Sequence, residues 1–288
     1  MTANHPLNAG IELVSHEVRA EILVALTEQI QESPRNETLR FAELRDRVGH
    51  DDPGNFNYHL KRLLGKFVEK TDEGYRLSVV GHHFVAVLRS GRFDPNRRQE
   101  FHEIETSCPV CGAAASVTYE DGSLRTTCEN DHTWILNVGP ELLDSYSVID
   151  ALNVATRRAL WEAKSTMDGV CPICEGDTSG TEARLSEEPP LVMYEWMCDK
   201  CGLLTQNSAG GCVIFHPAVV GFCYQHDLNV YQHTWEVFVE NVGTTTICSK
   251  NPLRVQVVIS LDGEQLDLTL DDSATVVGVT KGPEPTSS

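Results

Sequence analysis

Apolar residues recur at three-to-four spacing at Ile11, Val14, Val18, Ile22, Ala25, Leu26 and Ile30, which predicts a helix over 11–31. The polar run 32–37, with Pro34 inside it, ends that helix. The same period predicts a short helix over 40–48, with Phe41, Leu44 and Val48 inward, and another over 55–65, with Phe56, Leu60, Leu63 and Leu64 inward. A turn rich in Asp, Pro and Gly, residues 50–54, separates the two. Residues 67–69 and 75–77 read as two short strands joined through Thr71-Asp72-Glu73-Gly74, and helical spacing returns over 79–89.

Helix, helix, helix, hairpin, helix is the order of a winged helix-turn-helix. Residues 90–107 are polar and read as a linker or a charged helix. Residues 141–166 predict a long amphipathic helix carrying Leu142, Tyr146, Ile149, Leu152, Ala155, Ala159 and Leu160. Pro217 suits the first turn of a further helix with His216 near its cap, and helical spacing continues to Val239. Alternating residues predict strands over 254–261, 265–270 and 275–279, with the turn Asp262-Gly263 between the first two and a frayed tail from Gly282. The expected class is α+β. A winged helix-turn-helix over 10–90 and a linker over 91–107 come first. A first zinc-ribbon-like module with the long helix follows over 108–168. A second zinc module, helices and a small antiparallel sheet occupy 169–280.

Charge sharpens this division. The chain of 288 residues has 23 Lys+Arg and 42 Asp+Glu, a formal −19. Residues 1–98 hold 14 basic and 14 acidic residues, so 99–288, with 9 basic and 28 acidic, carry all of it. Carboxylates repel phosphates, and the neutral first third escapes that argument. Only 7 of the cations are Lys against 16 Arg, which resembles the composition of proteins from salt-loving archaea. In molar salt the Debye length falls to ~3 Å, so such acidity repels little. Residues 1–10 show no basic-then-apolar signal pattern, and no apolar run approaches a membrane span, so a cytoplasmic protein is expected.

On the helix over 55–65 the apolar stripe leaves Asn55, Asn57, Tyr58, Lys61 and Arg62 on the other side. Asn can pair with adenine, and Lys or Arg with guanine or phosphate. Lys70 and Arg76 lie on the hairpin, and Arg45 and Arg47 on the preceding helix. His59 either touches a base or packs within the domain. The stretch from Phe41 to Leu77, above all Asn57-Tyr58-His59-Leu60-Lys61-Arg62-Leu63 followed by Gly65-Lys66-Phe67-Val68, resembles the winged-helix domain of the arsenical-resistance-repressor (ArsR) family. The resemblance covers about residues 10–90 and implies a dimeric transcriptional regulator in which Asn55, Asn57, Tyr58 and Lys61 approach DNA. Unlike that family's metal sensors, this chain has no Cys in residues 40–48. The arrangement as a whole resembles ArsR-like regulators of halophilic archaea with a cysteine-rich C-terminal half.

Ten cysteines in such a chain point to metal rather than disulfides. Cys108, Cys111, Cys128 and His132 form one ligand set, and Cys171, Cys174, Cys198 and Cys201 a second, both suited to structural Zn2+, with iron a second choice for the all-thiolate set. His132 is favoured over Asp131. Gly112 and Gly202, directly after knuckle cysteines, permit the tight turn. The repeated Cys-Pro-x-Cys openings at 108 and 171 hint at a duplication. Cys212, Cys223 and Cys248 are left over; Cys212 and Cys223 lie near His216, His226 and His233 and raise the idea of an effector metal or oxidant sensor. No phosphate loop, nucleophile elbow or His-Glu-x-x-His occurs, so no catalysis is expected. Trp134, Trp161, Trp196 and Trp235 read as core, and Ala209-Gly210-Gly211 as a flexible loop. The expected function is a sequence-specific regulator that binds double-stranded DNA as a homodimer, with room for a small-molecule effector. The alternatives are a zinc-stabilised protein adaptor and a thiol redox sensor.

Overall fold

The computed structural model describes residues 11–91, 99–108, 110–180, 183–187 and 190–283. The readings made above for residues 1–10, 92–98 and 284–288 lie outside it. The chain divides into two units, Met1–Phe93 and Asp94–Ser288.

In the first unit, α1 (Glu17–Glu32) follows a helical turn over 11–14, with a break at Ser15 and His16 where one continuous helix was expected. Then come α2 (Phe41–Val48), α3 (Pro53–Leu63), the hairpin β1 (Val68–Lys70) and β2 (Tyr75–Leu77), and α4 (Val79–Arg89). Ends are set locally. Gly49 in the left-handed region closes α2, and Asp52 caps α3 by accepting from the amides of Gly54 (2.7 Å) and Asn55 (3.1 Å). Leu39 forms an isolated antiparallel bridge to Tyr75 at the edge of the β1–β2 hairpin, which the sequence did not show. Ile22, Leu26, Leu44, Phe56, Leu60, Leu63 and Val68 close one core, which fixes α3 by its apolar stripe.

Among the described residues the second unit forms three four-stranded sheets, antiparallel throughout. β3 (Gln99–Ser107), β4 (Ala114–Glu120), β5 (Ser123–Cys128) and β6 (Thr133–Asn137) form a meander. The expected linker over 91–107 is therefore a strand from Gln99 onward, because its backbone pairs with β4. The long helix is split at Tyr146–Ser147 into α5 (Glu141–Ser145) and α6 (Val148–Met167), whose start is capped by Ser147. In the second sheet, β7 (Thr178–Gly180) and β8 (Arg184–Glu187) pair with opposite ends of β9 (Pro190–Cys198), and β10 (Leu204–Ser208) pairs along its other side.

Ala209, Gly210 and Gly211 are not a loop: they are buried in α7 (Ala209–Val213). α8 (Pro217–Gln225) starts as expected, with the His216 ring accepting from the Ala218 amide at 3.2 Å. Helix does not continue to Val239; only α9 (Thr234–Glu236) and a single π turn follow. β11 (Val242–Lys250), β12 (Leu253–Leu261), β13 (Glu264–Leu270) and β14 (Val276–Pro283) form the closing meander, one strand more than the alternation predicted.

The split at residue 168 dissolves in the packing. Ala151, Leu152 and Ala155 of α6 join Val117, Leu124, Leu136 and Trp235 in one core. Leu160, one turn further along, joins Tyr194, Phe222, Val257 and Leu268 in the other. One helix thus serves both cores, and Trp235 returns from the second half to the first. No helix among the described residues is long and apolar enough to cross a membrane.

Candidate metal centres and an exposed helix face

Both ligand sets sit at strand ends. Cys108 follows β3, Cys111 precedes β4, Cys128 ends β5 and His132 precedes β6. Cys171 and Cys174 lie between α6 and β7, Cys198 ends β9 and Cys201 precedes β10. Three of the turns share one backbone pattern. The amide four residues after the first cysteine folds back: Gly112, Glu175 and Gly202 donate to the carbonyls of Cys108 (2.9 Å), Cys171 (3.0 Å) and Cys198 (3.0 Å). These three residues hold φ of 70°, 56° and 73°, left-handed backbone that glycine adopts freely and Glu175 adopts under strain. Amides of Val110 and Cys201 point at the sulfurs of Cys108 (3.3 Å) and Cys198 (3.5 Å).

In the first centre, Cys111 and Cys128 sulfurs are 3.8 Å apart, and His132 Nδ1 lies 3.7, 3.3 and 3.6 Å from the sulfurs of Cys108, Cys111 and Cys128. In the second, Cys171–Cys201 is 3.7 Å and Cys174–Cys198 is 3.5 Å. A tetrahedron with ~2.3 Å metal–sulfur bonds has edges of about 3.8 Å. A disulfide would need sulfurs at ~2 Å. Each cluster, all its ligand atoms within 4.8 Å of one another, could hold one metal ion. Asp131 stays exposed at φ 61°, turning the chain so that its neighbour His132 faces the sulfurs.

The sulfurs are electrostatically unequal. The Asn130 amide, 3.4 Å away, holds Cys111 low, at about 6, while burial pushes Cys108 up to about 11. The Cys201 amide holds Cys198 at about 6. Cys174 is relieved by the Gly176 amide, yet burial and neighbouring thiols take it up to about 12. Cysteine binds a metal as the thiolate, so a cation entering either cluster displaces protons. Asn130 was not singled out from the sequence; nothing in a single Asn two residues from a ligand marks it.

The other expected cluster does not assemble. Among the described residues, only the two sets above form groups able to ligate a metal. His216 caps α8, His226 lies between Asp262 (2.9 Å) and Glu264 (3.0 Å), and His233 faces Glu236 at 3.8 Å. Burial raises the Cys223 thiol to about 11 and raises Cys212 further, which makes both poor nucleophiles. Cys248 is exposed. Trp134, Trp196 and Trp235 pack inward, whereas Trp161 is half exposed and stacks on Phe215 at 4.8 Å.

On α3, Phe56, His59, Leu60 and Leu63 are buried, while Asn55, Tyr58, Lys61 and Arg62 are exposed and Asn57 is half-buried. His59 takes the packing role: its ring lies 4.0 Å from that of His16. Lys70 is exposed on β1, 6.0 Å from the centre of the Tyr75 ring. Arg76 is held by Glu37 (2.6 Å) and Glu69 (3.1 Å), Arg45 by Asp46 and Arg47 by Glu32.

These features define a protein with a small helical unit followed by a unit that carries two four-residue clusters, each able to hold a metal ion. The chain belongs to the family described as Domain of unknown function (DUF7351), whose model matches residues 105–276 and so spans both centres. Residues 8–88 match a second model, Domain of unknown function (DUF7347). No curated protein and no solved structure matches the chain.

Proposed function

We propose that this chain is a sequence-specific DNA-binding transcriptional regulator. The observation that carries the reading is the two-faced α3: one side is locked in the core, and the other offers Asn55, Tyr58, Lys61 and Arg62 to solvent, with Tyr58 58% exposed. Read as a winged helix-turn-helix, α2 braces α3 in the major groove and the β1–β2 hairpin is the wing. Asn55, Asn57 and Tyr58 then meet base edges, while Lys61, Arg62 and Lys70 meet phosphates. Arg76, already paired with two carboxylates, contributes through the wing's shape more than by a free charge.

In this reading the two centres carry Zn2+. Three thiolates with one imidazole, and four thiolates, are donor sets that zinc takes in closed structural sites, with no position left for a substrate. Their role is to hold strand ends together, which supports a non-catalytic protein. Seven ligand thiols kept from oxidation fit a cytoplasmic setting. A homodimer is supported by α4, where Val79, Val80, Val87 and Leu88 are 70, 60, 53 and 51% exposed.

A gel-shift and footprint titration with zinc-loaded protein and its own promoter, in molar potassium chloride, tests the reading. A discrete footprint that is lost on Asn57→Ala with Lys61→Ala supports it. Absence of a specific shift would leave the adaptor as the better account.

A further inference from the structure

A cavity of about 510 Å³ opens in the second unit between β6, α6, β9 and β10. It lies where the sheet carrying the first metal centre meets the sheet carrying the second. Trp134, Ala159, Met193 and Phe238 give it apolar walls. The Trp134 and Phe238 rings are 5.2 Å apart and tilted by 51°, so they form a corner rather than a filled stack. The volume is in the range, ~300–1,000 Å³, that holds small ligands.

Two residues of this wall carry buried polar atoms without a partner. Asn207 is 3% exposed and Thr156 2% exposed. The Asn207 amide nitrogen and the Thr156 hydroxyl find no hydrogen-bond partner among the described residues. Such groups cost ~1–3 kcal/mol each when left unsatisfied. The Asn207 amide lies against Gly211: a Cβ there would meet its Oδ1 at 2.0 Å, so only glycine leaves the amide its room. Both atoms are covered in this wall, so a ligand oxygen reaches them as the two side chains turn toward the cavity, and there it supplies the partner each lacks. The lining includes no Lys or Arg and has one carboxylate, Asp131, so an anion finds no counter-charge.

From this we propose that the cavity is a binding site for a neutral, largely apolar, aromatic-sized molecule bearing a carbonyl oxygen. The oxygen accepts from Asn207 and Thr156, and the apolar body packs in the Trp134–Phe238 corner. His132 lines the same cavity, and β9 and β10 flank Cys198 and Cys201, so the bound molecule touches strands tied to both centres.

The test uses the zinc-loaded full chain and needs no DNA, so its outcome is separate from that of the DNA-binding reading. The probe is prodan, a neutral naphthalene ketone whose emission moves to the blue in apolar surroundings. Dimethylaminonaphthalene, which lacks the ketone, is its counterpart. One saturable equivalent of prodan with blue-shifted emission is expected. Ala159→Trp and, from the opposite wall, Met193→Trp each fill the cavity and weaken binding at least tenfold, with circular dichroism and zinc content unchanged. Asn207→Leu or Thr156→Val weakens prodan about tenfold, the size of one lost hydrogen bond, and leaves the ketone-free counterpart unaffected. Lack of saturable binding, or wild-type affinity in both folded filler variants, overturns the proposal. Equal loss of both probes in Asn207→Leu and Thr156→Val overturns the assignment of a carbonyl ligand.

Discussion

Single residues here act mostly by satisfying or refusing buried hydrogen bonds. Asn153 is 5% exposed; its side chain donates to the Ile149 carbonyl (3.1 Å) and accepts from the Trp235 backbone amide (2.8 Å). Replacing it strands a buried N–H, so Asn153→Ala should lower stability by about 1–3 kcal/mol, read by denaturant unfolding of the metal-loaded protein. His59 gives a pH dependence. Burial first, then the positive fields of His16, Arg19 and His50, hold its pKa below 6.5. The unfolded chain therefore takes up the proton before the folded one does. This contribution to stability is complete above about pH 6.5 and declines as pH falls through the folded value. Thermal unfolding of the first unit should lose midpoint below pH 6.5, and His59→Phe should flatten that slope. Of these roles the sequence offers only the packing of His59, as one of two readings, and none of the partners. A lone Asn or His states its chemistry but not its partners, and Trp235 reaches Asn153 across 82 positions.

At the level of elements, what the sequence shows is what local period encodes. α2, α3 and α4 fall within two residues of the apolar spacing at Phe41, Phe56 and Leu60, because each buries one stripe. β12 and β13 follow from strict alternation around Asp262 and Gly263, whose φ of 51° and 77° are those of a tight hairpin turn. β3 was missed since Phe101 and Ile104 are three apart, a spacing that belongs to no strand; pairing with β4 decides its state. The ligand sets were legible because a two-residue gap brings two sulfurs together without any help from the rest of the fold. They predict two zinc ions per chain by elemental analysis, one in Cys128→Ala and one in Cys198→Ala. With metal bound, a thiol reagent should modify Cys248 first, and a chelator should then release seven further thiols. Reaction of the seven before chelation would contradict the assignment.

For the whole molecule, the charge of −19 first argues against nucleic acid, and its division reverses that argument. The unit bearing Lys61, Arg62 and Lys70 belongs to the neutral part, and the acidity lies in the part that carries the two cysteine-rich clusters. Affinity for DNA should therefore hold or rise as potassium chloride increases, since screening of the acidic half offsets the usual release of phosphate contacts. A steep decline in anisotropy titrations would count against it. The large cavity, by contrast, could not be read from the sequence at all: Trp134, Ala159, Met193, Asn207 and Phe238 lie far apart along the chain, and only folding gathers them.

The central claim is that the exposed side of α3 reads DNA. Genome-wide occupancy of the tagged wild-type chain and of the Asn57→Ala, Lys61→Ala double variant tests it most directly, with protein level and zinc content measured in both. Discrete peaks sharing one sequence motif are expected for the wild type, and their loss in the variant. Wild-type occupancy no higher than an untagged control, or peaks that survive in the variant, would contradict it.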